Sequence, residues 1–527
     1  MSTIDATVVL DNRVNVSSTY TELVPFTGQN VNYFSVPADG GPNFPSQIYF
    51  NNIVTPGGLN STLVGRNIRI RYTVTVVCNN AVPATAARLA STPYIAGTVP
   101  NLALRAFPLQ SICDTLSLQL NGATTTINSR QILSATQRFI PADYIKSQST
   151  ECPSMADNRA QLLSDPTVTL GNAAAGAQTT VLAVSNQPLS TYENSNGYTR
   201  GCFQPVFAPV TPPGGTTTTW TFDVSEPLMV SPLVLWENDV FLGQLSTMTL
   251  QMNYSNINDM LVTSLAAFDV NPIVSISSPV LQLCYIQTQP DLVQIPASLK
   301  YDYESVVYFP QSGVAVGAVS SQTLRLQTMP KMIYIFARDA ITARNSFHSD
   351  SLYGLGNAGN GLAGVSIQIG SRTGLLASAS NKDMFRMAVS NGYNSTFEDW
   401  TYGSGTIYAI NPCKDLGISL GSDSLPGQVG GNTNFQISLT VNSTPQDYVG
   451  AAAGVTELMI VVVYAGDMTI TSDMALFNLG TLSASEVDSL IKRNKSSVGS
   501  EIVSPTMPQG AGLFARGKTI VGHGQAK

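Results

Sequence analysis

The chain has 527 residues, a formal net charge of −7 and only 11% charged residues, against roughly 25% in an ordinary soluble domain. That length exceeds a single core of usual size and suits two large domains. The balance of 26 Lys and Arg against 33 Asp and Glu excludes an overall basic nucleic-acid footprint, and six scattered cysteines with two histidines offer no zinc spacing.

The opening "MSTIDATVVL" lacks the basic and long apolar regions of a secretory signal, so a protein made in a cell interior is expected. Arg13 is the only arginine in the first 65 residues and Lys146 is the first lysine, which leaves no basic N-terminal arm. Strict alternation then begins. Ile68, Ile70, Tyr72, Val74 and Val76 alternate with polar residues, as do Met248, Leu250, Met252 and Tyr254, and later Ile437, Leu439 and Val441. Each pattern predicts a strand with one face in a core. Turn clusters such as "PADGGPNFP", "TPPGG" and "LPGQVGGN" separate them. Many short strands with Gly- and Pro-rich connections predict an all-β fold of sandwiches or barrels.

One stretch occurs twice. "TLSLQLNG" at 115–122 returns as "GVSIQIGS" at 364–371, pairing Leu116, Leu118 and Leu120 with Val365, Ile367 and Ile369, and Ser117 and Gln119 with Ser366 and Gln368. A short helix is predicted after each copy: "SRQILSATQRF" with Ser129 as cap, and "NKDMFRMAVSNG" with Asn381 as cap and Gly392 as stop. In this alignment Arg138–Phe139 matches Phe385–Arg386. Two further anchors are "LALRAFPL" (102–109) against "LRLQTMPK" (324–331), implying an insertion of about 27 residues in the second copy, and Tyr254 against Tyr464. Divergent tandem duplication accounts for the three anchors in order. It places domain boundaries at 1–265, 266–480 and 481–527, with the strand Pro279–Ile286 opening the second half. Long polar insertions at 145–219, 339–363 and 391–433 read as surface loops that carry function or contacts.

Chemistry has little support. "GLGNAG" (354–359) matches G-x-G-x-x-G but lacks the flanking strand and helix order of a dinucleotide site. Glu398 and Asp399 in "FEDW" are adjacent, which is poor geometry for paired carboxylates, and read as an exposed loop. No catalytic residue, cofactor or metal is predicted. Cys152 and Cys202 both sit in loop-like sequence, so a disulfide between them stays open beside the ordinary reading of reduced core thiols. The apolar run "LMIVVVY" (458–464) is too short to span a bilayer and reads as a strand buried on both faces. From Thr481 onward six basic residues meet three acidic ones. A capped helix beginning near Ser483 is predicted there, followed by a basic, Gly-rich tail. Leu513, Phe514, Ile520 and Val521, with Arg516 and Lys518, are its candidate docking residues.

The chain resembles the double jelly-roll major capsid proteins of icosahedral double-stranded DNA viruses, in particular those of virophages and polinton-like viruses. The resemblance rests on "DTLSLQLNG" with its following helix, on "LRLQTMPKMIYIFARD" and on "TELMIVVVY", and spans roughly residues 10–475. It implies two tandem eight-stranded jelly rolls, and a homotrimer forming a pseudo-hexagonal capsomer in the virion shell, assembled inside the host cell. It further implies penton and minor or cement proteins as neighbours, and an enclosed genome bound without sequence specificity. Whether a membrane lies inside the shell stays open. Two other readings remain at this point: a single-jelly-roll RNA-virus capsid with a protruding domain, which the missing basic arm disfavours, and a tandem β-sandwich protein or enzyme acting on glycans.

Overall fold

The computed structural model of the chain describes residues 31–79, 102–154, 217–228, 241–263, 273–287, 295–341, 352–353, 362–417, 433–441 and 456–479, apart from short gaps within those spans. The first half contributes β1 (Val31–Pro37), β2 (Gln47–Val54), β3 (Thr62–Val64), β4 (Arg69–Asn79), β5 (Leu102–Leu104) and β6 (Cys113–Leu120). It continues with β7 (Ala123–Ile127), β8 (Thr217–Pro227), β9 (Thr247–Tyr254), β10 (Leu261–Thr263) and β11 (Ile273–Gln287). The second contributes β12 (Ser298–Ser312), β13 (Gly317–Ser320), β14 (Leu324–Leu326), β15 (Met332–Asp339) and β16 (Leu362–Ile369). After these come β17 (Arg372–Leu375), β18 (Tyr408–Ile410), β19 (Thr433–Val441), β20 (Thr456–Thr471) and β21 (Ala475–Leu479).

The sheets repeat one plan. In the first half the orders are β1-β11-β4-β8 and β2-β9-β6-β7; in the second they are β12-β20-β15-β18 and β13-β19-β16-β17. Counting only these eight principal strands of each half along the chain, both halves read 1-8-3-6 and 2-7-4-5. Each half is therefore a jelly roll, and the all-β expectation holds. The alternating residues explain the cores. Ile70, Tyr72, Val74 and Val76 of β4, Leu116, Leu118 and Leu120 of β6, and Met248, Leu250 and Met252 of β9 are all buried. Each such side chain removed from water contributes about 1.5–3 kcal/mol.

The structure changes several expectations. The strand Pro279–Ile286 is part of β11, which pairs with β1 and β4 of the first roll, so it closes that roll and does not open the next. A division near residue 265 would cut off the last strand of the first sheet. Of the three anchors, only Ser117 and Ser366 fall on matching strands, the fourth of each roll. The 102–109 anchor lies after the third principal strand, while β14 lies before it. Tyr254 ends the seventh strand and Tyr464 lies in the eighth. The connection from third to fourth strand is thus 80–112 in the first roll and 340–361 in the second, and the longer one is in the first. Period-two alternation is common to every strand of a sandwich, so short apolar matches carry no strand identity.

Local details shift too. The first helix, α2 (Ser129–Thr136), which follows the short α1 (Pro108–Ile112), is capped by Asn128, whose side chain accepts from Gln131 N; Ser129 Oγ instead donates to Gln110 O. The second, α3 (Asn381–Ser390), is capped by Ser380 in a capping box with Asp383. Phe139 follows α2 in a 3-10 turn whereas Phe385 is inside α3, so the two Arg–Phe pairs are not equivalent. "FEDW" is no exposed loop: it opens the helix α4 (Phe397–Tyr402), with Trp400 fully buried and its indole donating to Ile407 O. Within 391–433, this helix, β18 and the turn Pro412–Asp415 are ordered elements of the roll.

Candidate functional site at the junction of the two rolls

The two rolls meet chiefly on the β12-β20-β15 sheet of the second roll. The "NG" turn between β6 and β7 has Asn121 at φ 43° and Gly122 at φ 87°, the left-handed pair a tight hairpin needs. That geometry turns the Asn121 side chain outward across the junction. Its amide donates to Thr471 O of β20 and to Gln244 O, both at 2.7 Å, while its oxygen accepts from Ser246 N and Thr247 N. Along β7, Thr125 Oγ1 lies 2.9 Å from Tyr303 OH of β12. Asn128 caps α2 through its oxygen and donates its amide to Tyr308 OH at 3.2 Å.

The helix α2 completes the contact. Arg338 of β15 donates from Nη1 to Gln131 O and Ser134 Oγ, each at 3.0 Å, and from Nε to Glu457 Oε2 of β20 at 3.1 Å. Both side chains of this ion pair are almost fully buried. A buried pair alone is weak evidence of stability, because desolvation offsets attraction. Here the remaining donors of Arg338 are met by the other roll, which ties the pair to docking. Arg130 bonds Asp114 and Asp259 of its own roll and reaches Ile341 O of the second. Arg138 donates to Ser404 O, and Phe139 packs on Tyr334 with ring centroids 4.6 Å apart.

Below the helix, Gly243 N donates to Tyr301 OH at 2.7 Å. A Cβ on Gly243 would lie 2.6 Å from Leu299 Cδ1, so any side chain there would make Leu299 shift where the second roll approaches. The Arg66 guanidinium covers the Tyr301 ring at 4.8 Å. Burial pushes the Tyr301 hydroxyl up to about 12, so it stays a neutral acceptor throughout the physiological range. Double coverage explains the sequence of this sheet. Every residue of β15 and the run Leu458–Tyr464 of β20 are buried, because one face meets the second roll's own core and the other meets the first roll. Arg338 and Glu457 stand as charges in mostly apolar strands, "MIYIFARD" and "TELMIVVVY", a signal sequence reading passes over.

Cys152 is a buried free thiol, and Cys202 lies outside the described residues, as do "GLGNAG" and the tail residues Leu513, Phe514, Arg516, Lys518, Ile520 and Val521. Comparison with known proteins now decides the family. The model of the Sputnik virophage major capsid protein first domain matches residues 2–287, more than half of the chain, and that of the major capsid protein V20 C-terminal domain matches 304–404. The chain belongs to the virophage major capsid proteins. The V20 protein of Sputnik virophage, named as a capsid protein, is 25% identical, over 92% of this chain and 81% of its own length. Two solved structures share the double jelly-roll fold of this virophage capsid protein. A chain of the Sputnik virophage cryo-EM structure has a TM-score of 0.68 at 20% identity, covering 92% of this chain and 95% of its own. The mavirus major capsid protein has a TM-score of 0.64 at 14% identity, covering 90% and 95%. As a member of this family the protein is a structural component of the virion shell.

Proposed function

We propose that three copies of this major capsid protein close into a ring of six jelly rolls, and that these trimers tile an icosahedral shell around a double-stranded DNA genome. The observation that carries this reading is the direction of the junction. The first roll offers β7 and α2, and the second receives them on β12, β15 and β20. Donor and receiver are different surfaces of one repeated fold, so the contact is heterologous, and a heterologous contact whose rotation closes generates a ring. Three chains with two rolls each supply six similar edges to a six-neighbour lattice position. Penton proteins, minor capsid proteins and neighbouring trimers are the partners this role requires, and the genome is enclosed without base-specific contacts. The role is structural and calls for no catalytic chemistry.

Solution mass tests it. A trimer of 55.9 kDa chains has a mass of about 168 kDa. Light scattering over a range of salt and protein concentrations is expected to give that value. A mass of one chain throughout would sink the reading. The domain division that accompanies it runs 31–287 and 295–479 among the described residues, which assigns β11 to the first roll.

A further inference from the structure

The in-chain junction specifies its own counterpart between chains. In both rolls a helix follows the fifth principal strand, α2 after β7 and α3 after β17. Aligning their caps, Asn128 and Ser380, sets Ile132 and Thr136 against Met384 and Ala388, and all four are buried. The same alignment sets the junction residues Arg130, Gln131 and Ser134 against Lys382, Asp383 and Arg386. Those three are exposed, as is Val389 at 44% on the same side of the helix. Burial of the whole helices differs accordingly. In α2 five of eight residues are buried, while in α3 only two of ten are. One helix is covered by a neighbouring roll; its equivalent stands open.

The receiving surface is duplicated as well. In the second roll Arg338 pairs with Glu457 one residue inside the corner where the end of β15 meets the start of β20, at Asp339 and Thr456. In the first roll the same corner is the pairing of Val77 on β4 with Ile273, the first residue of β11, followed by Thr75 with Ser275. Ile273 is 63% exposed, whereas Arg338 and Glu457 at the corresponding corner of the second roll are almost fully buried beneath α2.

We infer that the α3 stripe Lys382, Asp383, Arg386 and Val389 of one chain docks on the corner formed by Thr75, Val77, Ile273 and Ser275 of a second copy. The inference rests on the trimer reading and deepens it by naming the two surfaces that meet. Val389 and Ile273 supply apolar area, and the charged stripe lies along the hydroxyls of Thr75 and Ser275. The surface differs in chemistry from its in-chain counterpart. At the corner it offers Thr75, Val77, Ile273 and Ser275 in place of the buried ion pair.

Paired cysteines test the juxtaposition directly. Arg386→Cys and Ser275→Cys are both outside the roll cores, and the double variant is first checked for the same solution mass as the wild type. Treatment with a short bismaleimide is expected to shift the 55.9 kDa band of the double variant to covalent dimer and trimer. Each single variant, carrying the natural cysteines, sets the background. If the protein is a trimer and the double variant cross-links no more than the single variants, the docking is wrong and the trimer stands. If the wild type is a monomer under all conditions, the trimer reading and this inference fall together.

Discussion

Glu226 sits on β8 with no solvent exposure, its Oε1 accepting from Tyr72 OH at 3.3 Å and from Leu109 N at 3.1 Å. Burial pushes its pKa from 4.5 up to about 8, and the bonds from Tyr72 and Leu109, with the charge of Arg69, offset only part of that rise. Cys152 lies close enough that the carboxylate in turn raises the thiol's pKa. The carboxyl is therefore protonated at neutral pH. Its folded pKa is higher than its unfolded one, so the fold holds the proton more tightly than the unfolded chain does. That contribution is whole below about pH 4.5 and is lost as pH rises through about 8, each unit being worth about 1.4 kcal/mol. Between those limits the melting temperature of the wild type should fall more steeply with pH than that of Glu226→Gln. Parallel slopes would exclude Glu226 as the source.

Arg338 and Glu457 form a buried ion pair at the junction. Removing one partner leaves a buried charge alone, at a cost of about 3–5 kcal/mol. The double variant Arg338→Met with Glu457→Gln should lose less than the sum of the two single changes, by about 0.5–3 kcal/mol. Unfolding midpoints of the four proteins measure this, and simple additivity would show the pair to be uncoupled.

At the scale of elements, the motif that identified equivalent strands was the one with the most internal order. Ser-x-Gln is followed in both rolls by a turn, a short strand and a capped helix, which is a sequence of unlike parts. The other two anchors were alternation alone, and alternation fits any strand. Leu118 and Ile367 both point into their own cores, with 1% and 0% exposure. Changing either to Asp buries an unpaired charge, at a cost of several kcal/mol. Each variant should lose soluble, cooperatively folding protein, and to a similar degree, as judged by yield and circular dichroism. A folded Ile367→Asp beside an unfolded Leu118→Asp would show the two rolls to depend unequally on this strand.

For the whole molecule, the strand order settles which surfaces are used and which are left over. The first roll gives its helix side to the second, and among the described residues α3 and the corner at Ile273 are left exposed. The segment after β21 belongs to the same scale. We propose that residues from Thr481 onward act on the inner side of the shell and hold capsomers to neighbours or minor proteins. Ordering a segment costs on the order of 1 kcal/mol or more per residue, so it needs many partner contacts. Deleting residues 496–527 should leave the trimer mass unchanged and lower the yield or heat resistance of assembled shells. Shells of normal heat resistance from the truncated chain would make the tail dispensable.

Sequence alone determined the β class, the core-facing residues and the equivalence of the two Ser-x-Gln strands. Those depend on period-two alternation and turn chemistry, which act between near neighbours. It also marked "LMIVVVY" as covered on both faces, because only a doubly buried strand can afford no polar side. Tertiary structure alone decided that β11 closes the first roll, that Arg338 and Glu457 pair across to α2, and that α3 stands open where α2 is covered. Each of these depends on partners far apart in the chain: β11 joins β1 more than 240 residues away, and Arg338 meets Gln131 at a separation of 207. Local pattern specifies which face of a strand is apolar; only the closed sheet order specifies what lies against it.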